Sequence, residues 1–535
     1  MIRISGLKLR IPHSEEDIRA EIQRKAKGRN PLSWQIVRRS LDARKKPDLY
    51  YVYTLDASFR EEKKILHARG SRWVRPEDKI YRFPHINREK PEEGERPVVV
   101  GFGPAGIFAA LMLARAGFCP VVIERGDPVE IRTKKVDAFF RGDELDPDSN
   151  VQFGEGGAGT FSDGKLNTSV KDPSGRNRFV LNEFVKHGAG ESILYEAKPH
   201  VGTDVLTGIV SSMRKEILSL GGEIRFRTKM TAILEEKGKI KGISCLEKGE
   251  IKTIPTDVLI LALGHSARDT FAMLYEKGLK MIPKAFAVGI RVEHPAEMIN
   301  QSMYGPDYPE ELPAASYKLT HQCSDGRGIY SFCMCPGGYV VNSSSEAGHL
   351  CVNGMSESGR DGSNSNSAII TTVTPEDFPS SHPLAGIEFQ REYERKAFLL
   401  CGGDIPVQLY KDFLADRVSE SCGSFSPQIR GRWAFGNLRN CLPDYVSRCI
   451  TEGMEAFGRK IPGYDREDTI FAGLETRTSS PLRMERDSGC QSNISGLFPC
   501  GEGAGYAGGI TSAAMDGIRV AESAAAYMIM RKGKK

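Results

Sequence analysis

The chain has 535 residues, of which 40% are hydrophobic and 27% charged, and a formal net charge of +5. This length accommodates two to four domains, and the composition is ordinary for a globular protein. No apolar run approaches the ~20 residues of a membrane-spanning helix, the start carries no apolar signal core, and the 12 cysteines follow no regular spacing, so we expect a cytoplasmic protein without a membrane partner.

The first 95 residues are predicted to form a separate small domain. Alternating apolar residues predict a strand, helix, strand, strand, helix and strand, which is the order of a ferredoxin-like α/β domain. The predicted strands are 2–11, 33–40, 50–55 and 80–83, and the predicted helices begin after Ser14 and cover 61–69.

Residues 1–96 contain 24 basic and 15 acidic side chains, a net charge of +9. A basic domain attracts nucleic acid or an acidic protein, but a solvated face is the simpler interpretation and is favoured here.

The most informative stretch of the chain runs from Val98 to Arg125. An apolar run ends in the turn Gly101-Phe102-Gly103-Pro104-Ala105-Gly106, a helical run follows, and a second apolar run ends at Glu124. This is the order of elements in a dinucleotide-binding βαβ unit. The first glycine permits a tight turn, the second lets the backbone approach a pyrophosphate, and the third lets the helix pack on the strand. The N-terminus of the helix is then expected to face the phosphates.

Glu124 indicates which nucleotide this unit prefers. It lies about 20 residues beyond the turn, where a carboxylate accepts hydrogen bonds from adenosine ribose hydroxyls. A carboxylate at this position disfavours a ribose 2′-phosphate and therefore NADP, but it does not separate NAD from FAD.

The middle of the chain is predicted to complete the α/β domain and then to insert a second one. Residues 152–166 form a glycine-rich loop that can lay backbone donors along a ligand. Apolar runs at 224–227, 230–235 and 240–246 predict a β-meander, and 256–264 predicts a buried parallel strand that ends in a glycine turn. From about residue 284 to 458, mixed strands and polar loops predict an inserted α+β substrate or cap domain.

The C-terminal segment returns to the nucleotide pattern. A glycine-rich turn at 496–510 carries one acid, Glu502, and precedes a helical run at 511–530. Glu502 could hydrogen-bond a polyol chain. The positive end of a helix that begins near Ile510 would stabilise the negative charge of a reduced flavin. This end of the chain therefore favours FAD over NAD.

Three of these motifs resemble those of the FAD flavoproteins of the glutathione-reductase superfamily. The turn at 101–106 with Glu124-Arg125 is similar to its first FAD fingerprint, Leu261-Ala262-Leu263-Gly264 to its internal strand end, and 498–503 to its C-terminal FAD motif. The chain looks closest to the fumarate-reductase-like and flavin-reductase-like branches. The stretches 153–165, 473–481 and 501–517 are similar to a bacterial group described as uncharacterised FAD-dependent dehydrogenases. The resemblance covers about residues 1–530 and implies a Rossmann-like FAD-binding fold and a redox function.

The chain departs from that superfamily in three ways. The usual Gly-Asp of the C-terminal motif is Gly501-Glu502. No second GxGxxG follows a strand, so a dedicated nicotinamide domain is not expected, and NAD(P)H would bind transiently or not at all. No Cys-x4-Cys accompanies the flavin loop, so a disulfide-reductase cycle has no evident dithiol. The inserted domain is therefore expected to cover the substrate.

The predicted domains are a basic N-terminal domain at 1–95, the first part of a Rossmann-like FAD-binding domain at 96–280, a cap domain at 281–460, and the C-terminal part of the FAD-binding domain at 461–535. The motifs also give a set of predicted cofactor-binding residues. These are Gly101, Gly103, Pro104, Ala105, Gly106, Glu124, Arg125, Gly156, Gly157, Gly159, Thr160, Lys165, Ala262, Gly264, Gly501, Glu502, Gly508, Gly509 and Ile510.

Catalytic residues are harder to predict, because a flavin carries the hydride chemistry itself. Arg477 could bind a substrate carboxylate through both of its terminal nitrogens, although a structural arginine is an equal alternative. Lys165 could contact flavin or phosphate. Cys333 and Cys335, one residue apart, could have a redox or ligand role, although ordinary packing is favoured. No second cysteine pair or histidine cluster has metal-ligand spacing, so no metal site is expected.

The leading functional hypothesis is an FAD-dependent oxidoreductase that acts on an unidentified small molecule. A flavoprotein that modifies tRNA is a less favoured alternative, and it rests on the basic N-terminal domain. A protein in which FAD is structural and the basic domain serves for docking is the third hypothesis.

Overall fold

The computed structural model describes residues 1–66, 74–76, 79–84 and 95–532. Among these residues, no helix combines the length and the apolar character that crossing a bilayer requires. The strands form sheets at the N-terminus, around the first glycine turn, and in the inserted region. The helices are Glu15–Lys25, Glu62–Leu66, Pro104–Arg115, Val129–Phe140, Arg176–Lys186, Thr203–Ser219, Arg268–Glu276, Ala296–Tyr304, Ala385–Leu400, Tyr410–Leu414, Asp444–Gly458 and Ile510–Lys532.

The N-terminal region is a three-stranded antiparallel sheet covered by a helix. Its strands lie in the order Ile2–Arg10, Asp48–Ser58, Ser33–Lys45, and Ser14 and Asp17 cap the first helix reciprocally. The predicted strand at 80–83 is wrong, because these residues pair with no strand. Val74 instead forms an isolated bridge with Arg3, whose N–H donates to the Val74 carbonyl at 2.8 Å. The predicted helix at 61–69 is present to Leu66, and its last three residues lie outside the described residues.

A five-stranded parallel sheet brings the two glycine turns together. Its strands lie in the order Leu497–Pro499, Leu259–Leu261, Val98–Val100, Val121–Ile123, Glu223–Arg225. Leu259 pairs with both Val98 and Leu497, so the strand that precedes the C-terminal glycine turn joins the sheet built by the first. Segments almost 400 residues apart in sequence (98 to 497) therefore end at the same edge of one sheet.

The β-meander differs from the prediction by one strand. Its strands are Thr228–Glu236, Lys239–Glu247 and Glu250–Pro255. Residues 224–227 were predicted to open the meander, but Glu223–Arg225 instead extends the edge of the parallel sheet beside Val121–Ile123. The third strand, Glu250–Pro255, lies mostly exposed and lacks the apolar alternation that would have predicted it.

The inserted region is built on a seven-stranded, mainly antiparallel sheet. Its strands lie in the order Thr320–Gln322, Gly328–Cys335, Asn364–Val373, Phe286–Pro295, Ile470–Glu475, Ile405–Leu409, Trp433–Phe435. Smaller sheets join Val352–Met355, Tyr339–Asn342 and Ile429–Arg430, and pair Met281–Pro283 with Leu482–Met484.

The predicted end of the inserted domain at residue 460 falls too early. Phe471 is fully buried and pairs with Val292 of the central strand. The strand Ile470–Glu475 is apolar except at its last residue, so it completes the core of this sheet rather than that of the parallel sheet.

Candidate functional site

A cavity of about 370 Å³ lies at the carboxyl ends of the parallel strands. Val100, Ile123, Ala262 and Cys500 line it, and each ends or follows a strand of that sheet. Phe332, Cys333, Asn353 and Glu475 of the inserted region line the same cavity. The carboxyl edge of an open parallel sheet is where such folds bind their ligands.

The first glycine turn leaves no room for side chains. A Cβ on Gly101 would lie 2.3 Å from the carbonyl oxygen of Ala262, and one on Gly106 would lie 1.9 Å from the carbonyl oxygen of Gly101. The helix Pro104–Arg115 begins at Gly103 without a side-chain cap. Its first N–H groups are therefore open to the cavity, where the helix dipole favours negative charge.

Glu124 connects the glycine turn to the glycine-rich loop. Its carboxylate accepts from the N–H of Phe102 at 2.8 Å, of Gly126 at 2.9 Å and of Gly154 at 3.0 Å. Arg125, next in the chain, stacks 4.4 Å from the ring centre of Phe153. An acidic and a basic side chain thus stand at the same end of the cavity, with the carboxylate held by backbone bonds.

The glycine-rich loop packs directly on the first turn, but two of its predicted residues face elsewhere. A Cβ on Gly157 would lie 3.0 Å from the Cα of Gly103. Gly156 and Thr160 do not line the cavity: a Cβ on Gly156 would lie 1.9 Å from the Thr160 hydroxyl. The short 3-10 turn Ala158–Phe161 rotates Thr160 into the core, where it is 2% exposed.

The C-terminal turn closes the other side of the cavity. Glu502 lies 3.5 Å from His265 Nδ1. Gly501 and Gly106 do not line the cavity. A Cβ on Gly501 would lie 2.7 Å from the Cβ of Ala105. The predicted cofactor-binding residues that do line the cavity are Gly101, Gly103, Pro104, Ala105, Glu124, Arg125, Gly157, Gly159, Lys165, Ala262, Gly264, Glu502, Gly508, Gly509 and Ile510.

Arg477 borders the cavity, but its guanidinium is already engaged. It binds both oxygens of Glu394, at 2.9 and 2.8 Å, and donates to Ser345 and Ser266. Arg268 binds the same Glu394 at 2.7 Å, and Glu394 is fully buried. This buried ion network uses the donors of Arg477, which favours the structural arginine that the sequence left as an equal alternative, and the role in binding a substrate carboxylate stays a prediction.

Lys165 lies on the cavity wall as an ion-paired ammonium. Its Nζ is 2.6 Å from Asp163 and also donates to the carbonyl of Met334. Burial acts to lower the pKa of Lys165, but the Asp163 carboxylate and the nearby cysteine sulfurs outweigh this effect and raise the pKa. Arg360 pairs with Asp163 at 2.6 Å. Lys165 therefore places a positive charge where the glycine-rich loop meets the inserted region.

The sequence analysis missed a group formed by Arg291, Glu475 and Asn353. Arg291 is fully buried, and it donates to Glu475 at 2.7 Å, to Asn353 at 3.2 Å and to the carbonyl of Cys333 at 3.1 Å. Burial raises the pKa of Glu475 to about 7, although Arg291 opposes this shift. One signal was available: Arg291 is the only arginine or lysine in a strand that is buried along almost its whole length, and a buried cation requires a partner.

Two groups of side chains in the described part of the chain bring metal-ligand atoms within 4.8 Å of one another. Neither group lines the cavity, and in the second Arg115 pairs with both carboxylates, at 2.6 and 2.8 Å. The groups are Cys323, Asp325 and Cys449, and Glu183, His187 and Glu216. The absence of a metal from the reaction stays a prediction.

The chain is an α/β protein in which two glycine turns, one after Val100 and one after Pro499, border a single cavity. Residues 285–478 match a family described as "FAD-dependent protein, C-terminal domain-like", and residues 1–58 match a domain of unknown function, DUF8436. The first of these matches coincides with the inserted region and includes the strand Ile470–Glu475.

An uncharacterized protein of Clostridium beijerinckii is 50% identical over 492 residues, which cover 91% of this chain and 91% of that protein. The chain therefore belongs to the same protein family as this relative.

Solved structures resemble the chain only distantly. A quinol fumarate reductase from E. coli has a TM-score of 0.37 at 13% identity, over 82% of this chain and 71% of that one. Glycerol-3-phosphate dehydrogenase of Bacillus halodurans, solved with FAD, has a TM-score of 0.37 at 13% identity, over 82% of this chain and 65% of that one.

Proposed function

We propose that this protein is an FAD-dependent oxidoreductase that moves a hydride between FAD and a small-molecule substrate. The observation that carries the proposal is the convergence of two glycine turns, after Val100 and after Pro499, on one cavity. The match of the inserted region to an FAD-dependent family supports FAD as the cofactor.

The residues at the cavity fit FAD. A Cβ on Gly101 would overlap the Ala262 carbonyl and one on Gly157 would press on Gly103, so this wall stays bare for a flat or anionic ligand. The uncapped first turn of the helix Pro104–Arg115 suits the pyrophosphate, and Glu124 suits the adenosine ribose. The start of the helix Ile510–Lys532 suits the flavin ring. When bound, the flavin supplies the hydride chemistry.

The chain's own residues supply charge and protons beside the flavin position. Burial raises the pKa of Glu475 to about 7, so its carboxyl group can exchange a proton with a substrate near neutral pH. Lys165 and Arg291 offset negative charge at this end of the cavity. Glu475 thus provides an acid–base group, and Lys165 and Arg291 provide positive charge near it.

NAD(P)H is proposed as a transient electron donor. In the described residues the second large sheet is mainly antiparallel, so it offers no second βαβ unit for a resident nicotinamide. A donor would therefore have to reach the flavin through the same cavity.

The test begins with the absorbance spectrum of the purified full chain. We expect about one FAD per chain, because one cavity is built by both turns. Anaerobic mixing with NADH, NADPH and a panel of metabolites should then bleach the flavin with at least one donor. Colourless protein that takes up no added FAD would overturn the proposal.

A matched pair of variants links the flavin to this cavity. Gly157 and Gly278 both have positive φ, +61° and +79°, but only Gly157 approaches another backbone segment within 4 Å. Gly157 also has a ψ of −164°, a combination that essentially only glycine adopts, so Gly157→Ala strains and shifts the cavity wall, whereas Gly278→Ala reports the effect of a methyl group at a positive-φ glycine away from the cavity. We expect Gly157→Ala to weaken FAD binding about tenfold or more and Gly278→Ala to leave it unchanged. Equal affinities would place the flavin elsewhere.

A further inference from the structure

Cys333 reaches the cavity because its strand is irregular. The strand Gly328–Cys335 pairs with Asn364–Val373, and their register shifts between Phe332 and Cys335. Cys333 there has a φ of +43°. Phe332 and Cys333 both line the cavity, which adjacent residues of a regular strand cannot do because they point to opposite faces. The irregularity therefore aims this sulfur at the cavity.

Cys335 places a second thiol against the backbone of Cys333. It is fully buried, and its Sγ lies 3.2 Å from the carbonyl oxygen of Cys333 and 3.7 Å from Arg291 Nη1. A Cβ on Gly354 would lie 2.6 Å from this Sγ, so the glycine leaves the space that the sulfur occupies. The thiol of Cys335 donates to the carbonyl oxygen of Cys333, so the two cysteines are in direct contact.

Two cations hold the backbone between the thiols. Lys165 donates to the carbonyl of Met334, and Arg291 donates to the carbonyl of Cys333. The hydrogen bond from Cys335, together with Lys165 and Arg291, lowers the pKa of Cys333, whereas Asp163 opposes the shift. Burial raises the pKa of Cys335. The lowered pKa of Cys333 and the raised pKa of Cys335 favour one thiolate and one thiol, the form in which dithiols react.

We propose that Cys333 and Cys335 form a redox-active dithiol that exchanges two electrons with FAD bound in the cavity; this inference rests on the proposed function. In the oxidising direction the Sγ–Sγ bond forms as the thiolate and the thiol together lose two electrons and one proton. FAD gains the two electrons and the proton and becomes anionic FADH⁻. The reverse step breaks the disulfide and restores the thiolate and the thiol.

Electron counting tests the proposal on the FAD-loaded enzyme. In an anaerobic dithionite titration of oxidised wild type we expect about four electrons per FAD, two for the flavin and two for the disulfide. Cys333→Ser and Cys335→Ser should each take up about two. Cys422→Ser is the control, because Cys422 is also half-buried but does not line the cavity, and it should keep the wild-type count. An uptake of about two electrons by wild type would overturn the dithiol while leaving the FAD proposal intact.

Alkylation provides a readout that needs no flavin. Cys333, Cys401 and Cys422 are all half-buried, but burial raises the pKa of Cys401 and Cys422. In the reduced protein at pH 7, mass spectrometry should find Cys333 alkylated by iodoacetamide about tenfold faster than the other two. Mild oxidation should then protect Cys333 and Cys335 together, as a mapped disulfide. Equal rates, or no such disulfide, would overturn the inference, whereas absence of FAD would overturn the proposed function.

Discussion

Gly517 of the last helix lies against the backbone of Ala105 in the first helix of the parallel-sheet domain. A Cβ on Gly517 would stand 2.2 Å from the carbonyl oxygen of Ala105. The two helices therefore touch backbone to backbone, and this contact joins the N-terminal glycine turn to the C-terminal segment that completes the cavity.

Gly517→Ala is expected to destabilise the protein. The added methyl group would overlap backbone that cannot rotate away, so we expect a loss of about 1–3 kcal/mol in the free energy of unfolding. Gly208→Ala is the matched control, because Gly208 also lies within a helix but meets nothing within 4 Å. There alanine should stabilise by about 0.5–1 kcal/mol through its helix propensity. Urea unfolding measures both, and equal effects would contradict the helix contact.

Arg477 is expected to act on stability rather than on substrate binding. Arg477→Met leaves the buried Glu394 with one arginine fewer, and removal of one partner from a buried ion network costs about 3–5 kcal/mol. Lys396→Met on the same helix as Glu394 is the control, because its pair with Glu392 is exposed and should cost less than about 1 kcal/mol. A variant that unfolds like wild type but raises the KM of a substrate would instead restore the substrate-binding role.

Glu293 should make stability fall as pH rises through neutrality. Burial raises its pKa from the ordinary value of 4.5 to about 7. Between these values the folded protein holds a proton that the unfolded chain has released, so the free energy of unfolding decreases with pH across this range and stays lower above it. Glu293→Gln mimics the neutral carboxyl group. Between pH 5 and pH 8 its free energy of unfolding should therefore fall by about 2 kcal/mol less than that of wild type.

Urea unfolding at several pH values measures this difference. The exposed Glu388→Gln is the control and should follow the wild-type profile. Parallel profiles for wild type and Glu293→Gln would show that this carboxyl titrates normally in the fold.

Lys165 should control the reactivity of Cys333. Lys165→Met removes a positive charge that lowers the pKa of this thiol, so alkylation of Cys333 at pH 7 should slow and its pH profile should move to higher pH. The exposed Lys171→Met is the control. Mass spectrometry of the reduced, flavin-free protein gives both profiles, and an unchanged profile in Lys165→Met would show that the ammonium does not act on the thiol.

The sequence predicted the nucleotide half of the site because its signals are local. Gly101, Gly103 and Glu124 lie within one strand-turn-helix-strand unit, where spacing determines which atoms meet. The C-terminal turn was predicted in the same way, and the parallel pairing of Leu259 with Leu497 then placed it opposite the first. The assignment of FAD rested on the C-terminal glycine turn together with the family resemblance.

The inserted half of the site could not be predicted in the same way. Arg291 and Glu475 are 184 residues apart and meet only through the register of two antiparallel strands, which no local pattern determines. The orientation of Cys333 depends on one irregular position in its strand. Gly156 and Thr160 shared the composition of the loop but not its direction, because the 3-10 turn Ala158–Phe161 points Thr160 into the core and Gly156 packs against Thr160.

The position of the strand Leu497–Pro499 has a consequence for biosynthesis. During synthesis, the strand Leu259–Leu261 lacks its neighbour Leu497–Pro499 until more than nine tenths of the 535 residues have been synthesised. A nascent chain therefore exposes an unpaired parallel edge, which is a template for wrong pairing. The cavity can then be completed only after the C-terminal segment has been synthesised, and prematurely terminated products would form a population that chaperones have to shield.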